Sequence, residues 1–176
     1  MNCITFDVFT QEQVKEINKK IKSNLAHKQP QKQAAQNVNK RGDFTYVPVT
    51  PLIDLLYPFL NNCQQLNTDN FGYDIYWHFH LEAFAYNVYE ESGEYGWHID
   101  SLAEKDKPDM KLTCLLNLSE ELYEGGEFSV VSLDEDIPFA SGMGMVFTSM
   151  MAHKVAPVTK GKRTTLTYWA QGPSWR

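Results

Sequence analysis

YGWHIDS, residues 95–101, is the stretch on which the reading of this chain turns. It reads as a strand, and residues i and i+2 of a strand point to one face with Cα atoms roughly 6.5 Å apart. His98 and Asp100 can therefore converge on a single ion. A second imidazole, His153, follows some fifty residues later, and Arg163 opens RTTLTYWA (163–170), the last well-patterned strand. Two imidazoles and one carboxylate form the ligand set that suits a non-haem ferrous ion and leaves coordination positions open. A lone His-x-Asp carries little weight because it is common by chance. The order His-x-Asp, distant His, then Arg on the following strand carries far more.

Working outward from that stretch, the chain divides into a helical beginning and a strand-rich remainder. CITFDVF (3–9) reads as a short strand, and Thr10 with Gln13 three residues later forms a capping box. Val14, Ile17, Ile21 and Leu25 recur at helical spacing, which predicts an amphipathic helix over 11–26. Residues 29–39, rich in Gln, Asn and Lys, read as an exposed stretch. A second helix is predicted over LIDLLYPFLNNCQQLN (52–67), with Pro58 bending or ending it. From Tyr73 on, short β-rich runs separated by Gly, Pro and Asp follow without intervening helices: DIYWHFHLE, EAFAYNVY, GWHIDS, KLTCLLNLS, GEFSVVSL, MGMVFTS, HKVAPV and RTTLTYWA. That pattern predicts a sandwich or barrel.

Four segments carry a resemblance to a known family: YEESGEYGWHID (89–100), KLTCLLNLSEELYEGGEF (111–128), GMGMVFTSMMAHKVAPVTKGKR (142–163) and RTTLTYWAQGP (163–173). The stretch from Glu82 to Gly172 resembles the Fe(II)/2-oxoglutarate-dependent dioxygenases, in particular their prolyl-4-hydroxylase-like branch. Tyr89, the turn Gly125-Gly126-Glu127, His153 and Arg163 occupy the family's marked places. The resemblance implies a single oxygenase domain over 1–176. Helical support would occupy about 1–70, and a double-stranded β-helix (jelly-roll) core about 73–173, mainly β and flanked by two helices. It also implies that His98, Asp100 and His153 hold Fe(II) and are the catalytic centre. Positions would remain for 2-oxoglutarate and O2, with ascorbate as a reductant and succinate and CO2 as co-products.

Arg163 is then the only cation placed to pair the far carboxylate of 2-oxoglutarate, since a guanidinium makes two parallel bonds to a carboxylate. Thr165, two residues along, can donate to the same group, and Tyr89 would line that pocket. Asn117 stands where many prolyl-hydroxylase-like members place a tyrosine that helps hold this carboxylate. Trp169, six residues after Arg163, would close the pocket wall, with Trp97 on the substrate side. Residues 101–110 are a candidate lid. The implied substrate is a prolyl or other residue of a protein. A free amino acid or small metabolite is the alternative, and an inactive jelly-roll binding module is a third reading. Nucleic-acid demethylases of the family carry a second Arg where this chain has Trp169, which disfavours a nucleic-acid partner.

Composition fits one folded domain: 176 residues, 43% hydrophobic and 13% aromatic, are too apolar for a disordered chain. Three cysteines, Cys3, Cys63 and Cys114, are spaced neither for zinc nor for a disulfide framework, which suits a reducing cytoplasm. No apolar run reaches membrane-span length, and residues 1–10 lack the pattern of a signal peptide. Residues 1–41 hold eight Lys/Arg against three Asp/Glu, whereas the remainder holds eight against nineteen. The basic excess reads as a solvated helix face. A rival metal site, His78, His80 and Glu82 on one strand face, resembles the opening of a cupin motif, but the Glu comes too early for that pattern. His27 reads as a charge partner at a helix end.

Overall fold

The computed structural model describes residues 3–25, 39–76, 83–101, 108–133 and 135–174. Among these, twelve strands and two α-helices alternate as follows: β1 (Cys3–Asp7), α1 (Gln11–Leu25), β2 (Lys40–Arg41), β3 (Asp43–Pro48), α2 (Ile53–Leu66), β4 (Ala83–Tyr89), β5 (Glu94–His98), β6 (Asp109–Asn117), β7 (Glu124–Gly125), β8 (Phe128–Val130), β9 (Met143–Thr148), β10 (His153–Val155), β11 (Val158–Lys160) and β12 (Arg163–Gly172). Six strands form an antiparallel sheet in the order β1-β9-β6-β12-β4-β3. Four form a smaller sheet, β2-β5-β10-β8, and β11 pairs β7 in a ribbon. This is the jelly-roll architecture with helices on one side.

The large sheet is the middle layer, and the alternation of its strands explains why. On its outer face Phe84 and Tyr86 of β4, Leu112, Cys114 and Leu116 of β6, and Leu166, Tyr168 and Ala170 of β12 join a cluster with the buried faces of both helices. The intervening residues of the same strands face the small sheet, where Leu115, Met145 and Phe147 pack on Phe128, Val130 and Val155. A strand covered on both faces is buried or half-buried along its whole length, as β12 is.

Helix α1 begins where the capping box placed it. The Thr10 backbone N–H donates to Gln13 Oε1 (2.9 Å) and the Gln13 N–H to Thr10 Oγ1 (3.3 Å). Its buried stripe, Val14, Ile17 and Ile21, contributes about 1.5–3 kcal/mol per side chain. Asn18 in that stripe is satisfied, donating to the Leu118 carbonyl at 2.8 Å and accepting from the Tyr86 hydroxyl at 2.9 Å. The lysines of α1 lie on its solvated face, where Lys22 meets Glu120 at 2.8 Å.

Several expectations are corrected. Helix α2 runs through Pro58 for a further two turns and ends in a π-type turn, Asn67–Phe71. Pro58 and Asp54, whose carbonyl loses its bond, both face solvent, while Phe59, Leu60 and Cys63 are fully buried and hold the helix down. The first seventy residues are not helical support alone, because β1 and β3 are the two edges of the large sheet. HKVAPV is two strands serving two different sheets. Of DIYWHFHLE, residues 74–76 are irregular and 77–82 lie outside the described residues, so the His78, His80 and Glu82 alternative is untouched by the structure, as is His27. The candidate lid lies mostly outside them too, though its last two residues, Asp109 and Met110, begin β6. All three cysteines are free and buried. No helix among the described residues is long and apolar enough to cross a membrane.

Candidate active site

Strand pairing brings the two imidazoles together. β10 runs antiparallel to β5 with His153 directly opposite His98, and their ring centroids are 4.1 Å apart. Asp100 lies just past the end of β5, pinned by the turn between β9 and β10. The backbone N–H groups of Asp100 and Ser101 both donate to the Ser149 carbonyl, at 3.0 and 3.1 Å. The Asp100 carboxylate then faces both rings, Oδ1 3.6 Å from His98 Nε2 and Oδ2 3.7 Å from His153 Nε2. The three ligand atoms lie within 4.8 Å of one another and face a common centre, the arrangement of a group able to hold one metal ion.

The groups behind the two imidazoles fix their tautomers. His98 Nδ1 is 2.7 Å from the Gly96 carbonyl and His153 Nδ1 is 2.9 Å from that of Met151. A carbonyl only accepts, so each Nδ1 carries the proton and each Nε2 lone pair points at the centre. Burial, and then the neighbouring His153, lower the His98 pKa to about 4, keeping that imidazole neutral near pH 7. Thr113 Oγ1 donates to Asp100 Oδ2 at 2.7 Å and contacts Ser149 Oγ at 2.9 Å, holding the carboxylate in place. Neutral imidazoles and an oriented carboxylate are what a ferrous ion needs.

The same cavity is walled by the inner face of the large sheet. Arg163, Thr165, Thr167 and Trp169 line it from β12, and Ala85, Asn87 and Tyr89 from β4. Arg163 is 2% exposed, and its Nε and Nη2 are buried without a hydrogen-bond partner among the described residues. Its guanidinium carbon lies 5.6 Å from the Tyr89 ring centre and 5.8 Å from that of Phe139. Two adjacent, unpaired donors on a buried cation are costly unless an anion meets them, and they match the fork geometry of a carboxylate. The residues present therefore fit both a ferrous ion and a dicarboxylate co-substrate.

The remaining expected residues divide. Tyr89, Thr165 and Trp169 line the cavity. Asn117 does not: its amide donates to the Phe139 carbonyl (2.6 Å) and the Tyr123 hydroxyl (3.2 Å), and its oxygen accepts from the Ser119 N–H (3.0 Å). That side chain is consumed in tying a loop. Trp97 also stands outside, 47% exposed on the far face of β5, with Lys154 Nζ 5.2 Å from its ring centre.

Two residues were missed. A bulge in β5 sets two of its residues, Gly96 and Trp97, against Lys154 of β10, pairing Val155 with Tyr95. Tyr95 consequently shares His98's face and stacks on it, centroids 3.4 Å apart. β2 pairs β5 with Lys40 opposite Tyr95 and Arg41 opposite Glu94, the latter closed by a 2.6 Å ion pair. Lys40 thus enters the cavity, so Arg163 is not its only cation. The Lys40 ammonium donates to Asn87 Oδ1 at 2.8 Å and lies 5.0, 5.2 and 5.7 Å from the ring centres of Tyr95, Phe44 and Tyr89. Burial lowers its pKa to about 8, against the pull of Asp100. Nothing local marked Lys40.

Comparison with known proteins agrees with this geometry. The model of the 2OG-Fe(II) oxygenase superfamily matches residues 84–171, half of the chain. A PKHD-type hydroxylase of Shewanella frigidimarina is 33% identical over 96 residues, covering 49% of this chain and 42% of the relative. The chain spans about half the length of the curated relatives it matches. A viral collagen prolyl hydroxylase from Paramecium Bursaria Chlorella virus-1, solved with 2OG, superposes with a TM-score of 0.73 at 18% identity, covering 98% of this chain and 97% of that one. A Trichoplax adhaerens prolyl hydroxylase, in complex with a hypoxia inducible factor peptide fragment, gives 0.73 at 14% identity over 97% of this chain and 83% of that one. Distant structures establish the shared double-stranded β-helix fold. With the family match across the cavity-bearing half, the chain belongs to the 2OG-Fe(II) oxygenase superfamily, and its relatives lie in the prolyl-hydroxylase-like branch.

Proposed function

We propose that this protein is an Fe(II)- and 2-oxoglutarate-dependent oxygenase that hydroxylates an unactivated C–H bond, with a prolyl or other residue of a protein as its substrate. The observation that carries the reading is the buried, unpartnered Arg163 guanidinium sharing one cavity with the His98, Asp100 and His153 cluster. When bound, the ferrous ion and 2-oxoglutarate supply the oxidising power, with succinate and CO2 as co-products. The chain supplies placement. His98 and His153 present their Nε2 atoms and Asp100 a carboxylate held by Thr113. Arg163 and Thr165 orient the far carboxylate of the co-substrate. Leu115, Phe128 and Val155 keep water from the cavity wall, which strengthens each of these electrostatic contacts. The protein-substrate part of the reading is supported by the relatives that are prolyl hydroxylases, one of them seen with a peptide.

The test is succinate formation on adding Fe(II) and 2-oxoglutarate, followed by a search for +16 Da peptides in treated cell lysate. His98→Ala, Asp100→Ala and His153→Ala are each expected to abolish turnover while the protein stays folded. Near-normal turnover in any of the three would refute the assignment. Absence of succinate from the wild type would favour the binding-module reading.

A further inference from the structure

We propose that Lys40 is a carboxylate anchor for the molecule being hydroxylated, so that the substrate carries an anionic group close to the C–H bond under attack. This rests on the oxygenase reading above and deepens it. Lys40 is on a different wall from Arg163: it reaches in from β2 of the small sheet, whereas Arg163 opens β12 of the large one. The Tyr89 ring lies beside both, 5.7 Å from Lys40 Nζ and 5.6 Å from the Arg163 guanidinium carbon. The far carboxylate of the co-substrate is already matched by the two free donors of Arg163. Lys40 is left for something else.

Charge makes the same point. Asp100, Arg163, a ferrous ion and doubly ionised 2-oxoglutarate sum to zero. Among the described residues Lys40 is the surplus positive charge of the loaded site, and a neutral substrate would close over it uncompensated. One carboxylate restores balance. An ammonium has three donors, and among the described residues Lys40 gives one of them to Asn87 Oδ1. That acceptor is itself aimed: Asn87 Nδ2 donates to Thr167 Oγ1 (3.0 Å) and the Ala85 carbonyl (3.2 Å), which turns its oxygen toward Lys40. The faces of Phe44, Tyr89 and Tyr95 fix the position further by cation–π attraction.

Position relative to the metal follows from Tyr95. Its ring is 5.0 Å from Lys40 Nζ and stacks on His98 at 3.4 Å, so one aromatic ring separates the ammonium from a metal ligand. A carboxylate on Lys40 is therefore held beside the reacting centre. Trp169 lines the same cavity, and its buried Nε1–H has no partner among the described residues, offering a second donor to the substrate. The carboxylate could belong to a free amino acid, to a peptide C-terminus or to an acidic side chain beside the target residue. The chemistry recognised is the same.

The experiment uses the full chain, anaerobic and loaded with Fe(II) and 2-oxoglutarate. Probes are free L-amino acids, their N-acetyl derivatives, acetylated prolyl dipeptide amides containing Asp or Glu, and the matching neutral amides of all three. Binding is read by calorimetry and by the change in the charge-transfer absorbance, and succinate formation is read afterwards in air. At least one acid set is expected to bind roughly ten- to a hundredfold more tightly than its amides. Which set does so identifies the source of the carboxylate. Lys40→Met should erase that preference while 2-oxoglutarate affinity stays within about threefold, and Lys40→Arg should retain part of the preference. Equal binding of acids and amides, or no binding by any probe, would overturn the proposal. So would a loss of 2-oxoglutarate affinity in Lys40→Met as large as that of Arg163→Leu, since Lys40 would then belong to the co-substrate. Failure of the wild type to give the 2-oxoglutarate absorbance would overturn the oxygenase reading itself, and this proposal with it.

Discussion

Arg163 concentrates the chemistry of the site in one residue. Its guanidinium is buried with two donors unpaired, a cost the fold carries until an anion arrives. Replacing it with Leu removes the partner of a desolvated carboxylate, an effect on the order of 3–5 kcal/mol or two to four decades in affinity. Arg163→Leu should therefore weaken 2-oxoglutarate by that amount in an anaerobic titration and leave Fe(II) affinity nearly unchanged. Arg163→Lys should fall between, keeping charge but not the fork. Equal affinity in wild type and the Leu variant would remove the co-substrate assignment. His98 offers a pH test on the metal-free protein. Its folded pKa of about 4 lies below its ordinary 6.5, because burial and then His153 disfavour the charged ring. The unfolded chain then binds the proton first. Stability owed to neutral His98 is complete above pH 6.5 and is lost as pH falls from there toward 4. His98→Gln should flatten that part of the Tm-versus-pH curve, and an unaltered curve would show that burial of His98 is not its cause. The triad and Arg163 were legible in the sequence because strand parity and spacing fix their faces. Lys40 and Tyr95 were not, since one depends on long-range pairing of two short strands and the other on a bulge that defeats parity.

At the scale of elements, the helix α1 cap and the alternation of β4, β6 and β12 were readable because their causes are local. β3 was not, since its six residues form a strand by pairing with β4, a partner forty residues away in sequence. Pro58 does not end its helix for a similar reason: a local penalty is outweighed by the burial of Phe59, Leu60 and Cys63. The turn Gly125-Gly126 at the end of β7 shows how an element governs a site. Both glycines have positive φ, +76° and +68°, which costs an L-residue roughly 1–2 kcal/mol. A Cβ on Gly125 would meet the Pro157 carbonyl oxygen, a backbone atom that cannot move without breaking the ribbon. A Cβ on Gly126 would come within 2.9 Å of Arg163 Cδ, a side-chain atom that can be pushed. The two alanine variants should therefore separate. Gly125→Ala is expected to lower Tm the more strongly, whereas Gly126→Ala should weaken 2-oxoglutarate by at least about tenfold with a smaller loss of Tm. Thermal unfolding and a 2-oxoglutarate titration on both proteins check this. Unchanged co-substrate affinity in Gly126→Ala would show that the turn does not position Arg163.

For the whole molecule, the question is whether the metal holds the fold or the fold holds the metal. One apolar cluster lies between the helices and the large sheet, away from the ligands, and the other lies between the two sheets. Each ligand is placed by protein contacts alone: His98 and His153 by strand pairing and carbonyl bonds, Asp100 by Thr113 and the Ser149 carbonyl. Such a site is preformed, unlike a zinc finger whose binding energy is its folding energy. Chelated, metal-free protein is therefore expected to unfold cooperatively, with its secondary structure intact below the transition. Restoring Fe(II), or redox-inert Mn(II), should then raise Tm only by mass action, about 2.7 kcal/mol at a hundredfold excess over Kd. For a chain of this size that is roughly 5–11 °C. 2-Oxoglutarate added after the metal should raise Tm further in the wild type but not in Arg163→Leu, which ties the stabilisation to one side chain. Loss of cooperative unfolding on chelation would mean instead that repulsion among the buried ligands is relieved only by the ion. The two apolar clusters would then be insufficient on their own, and the fold would have to be regarded as metal-dependent.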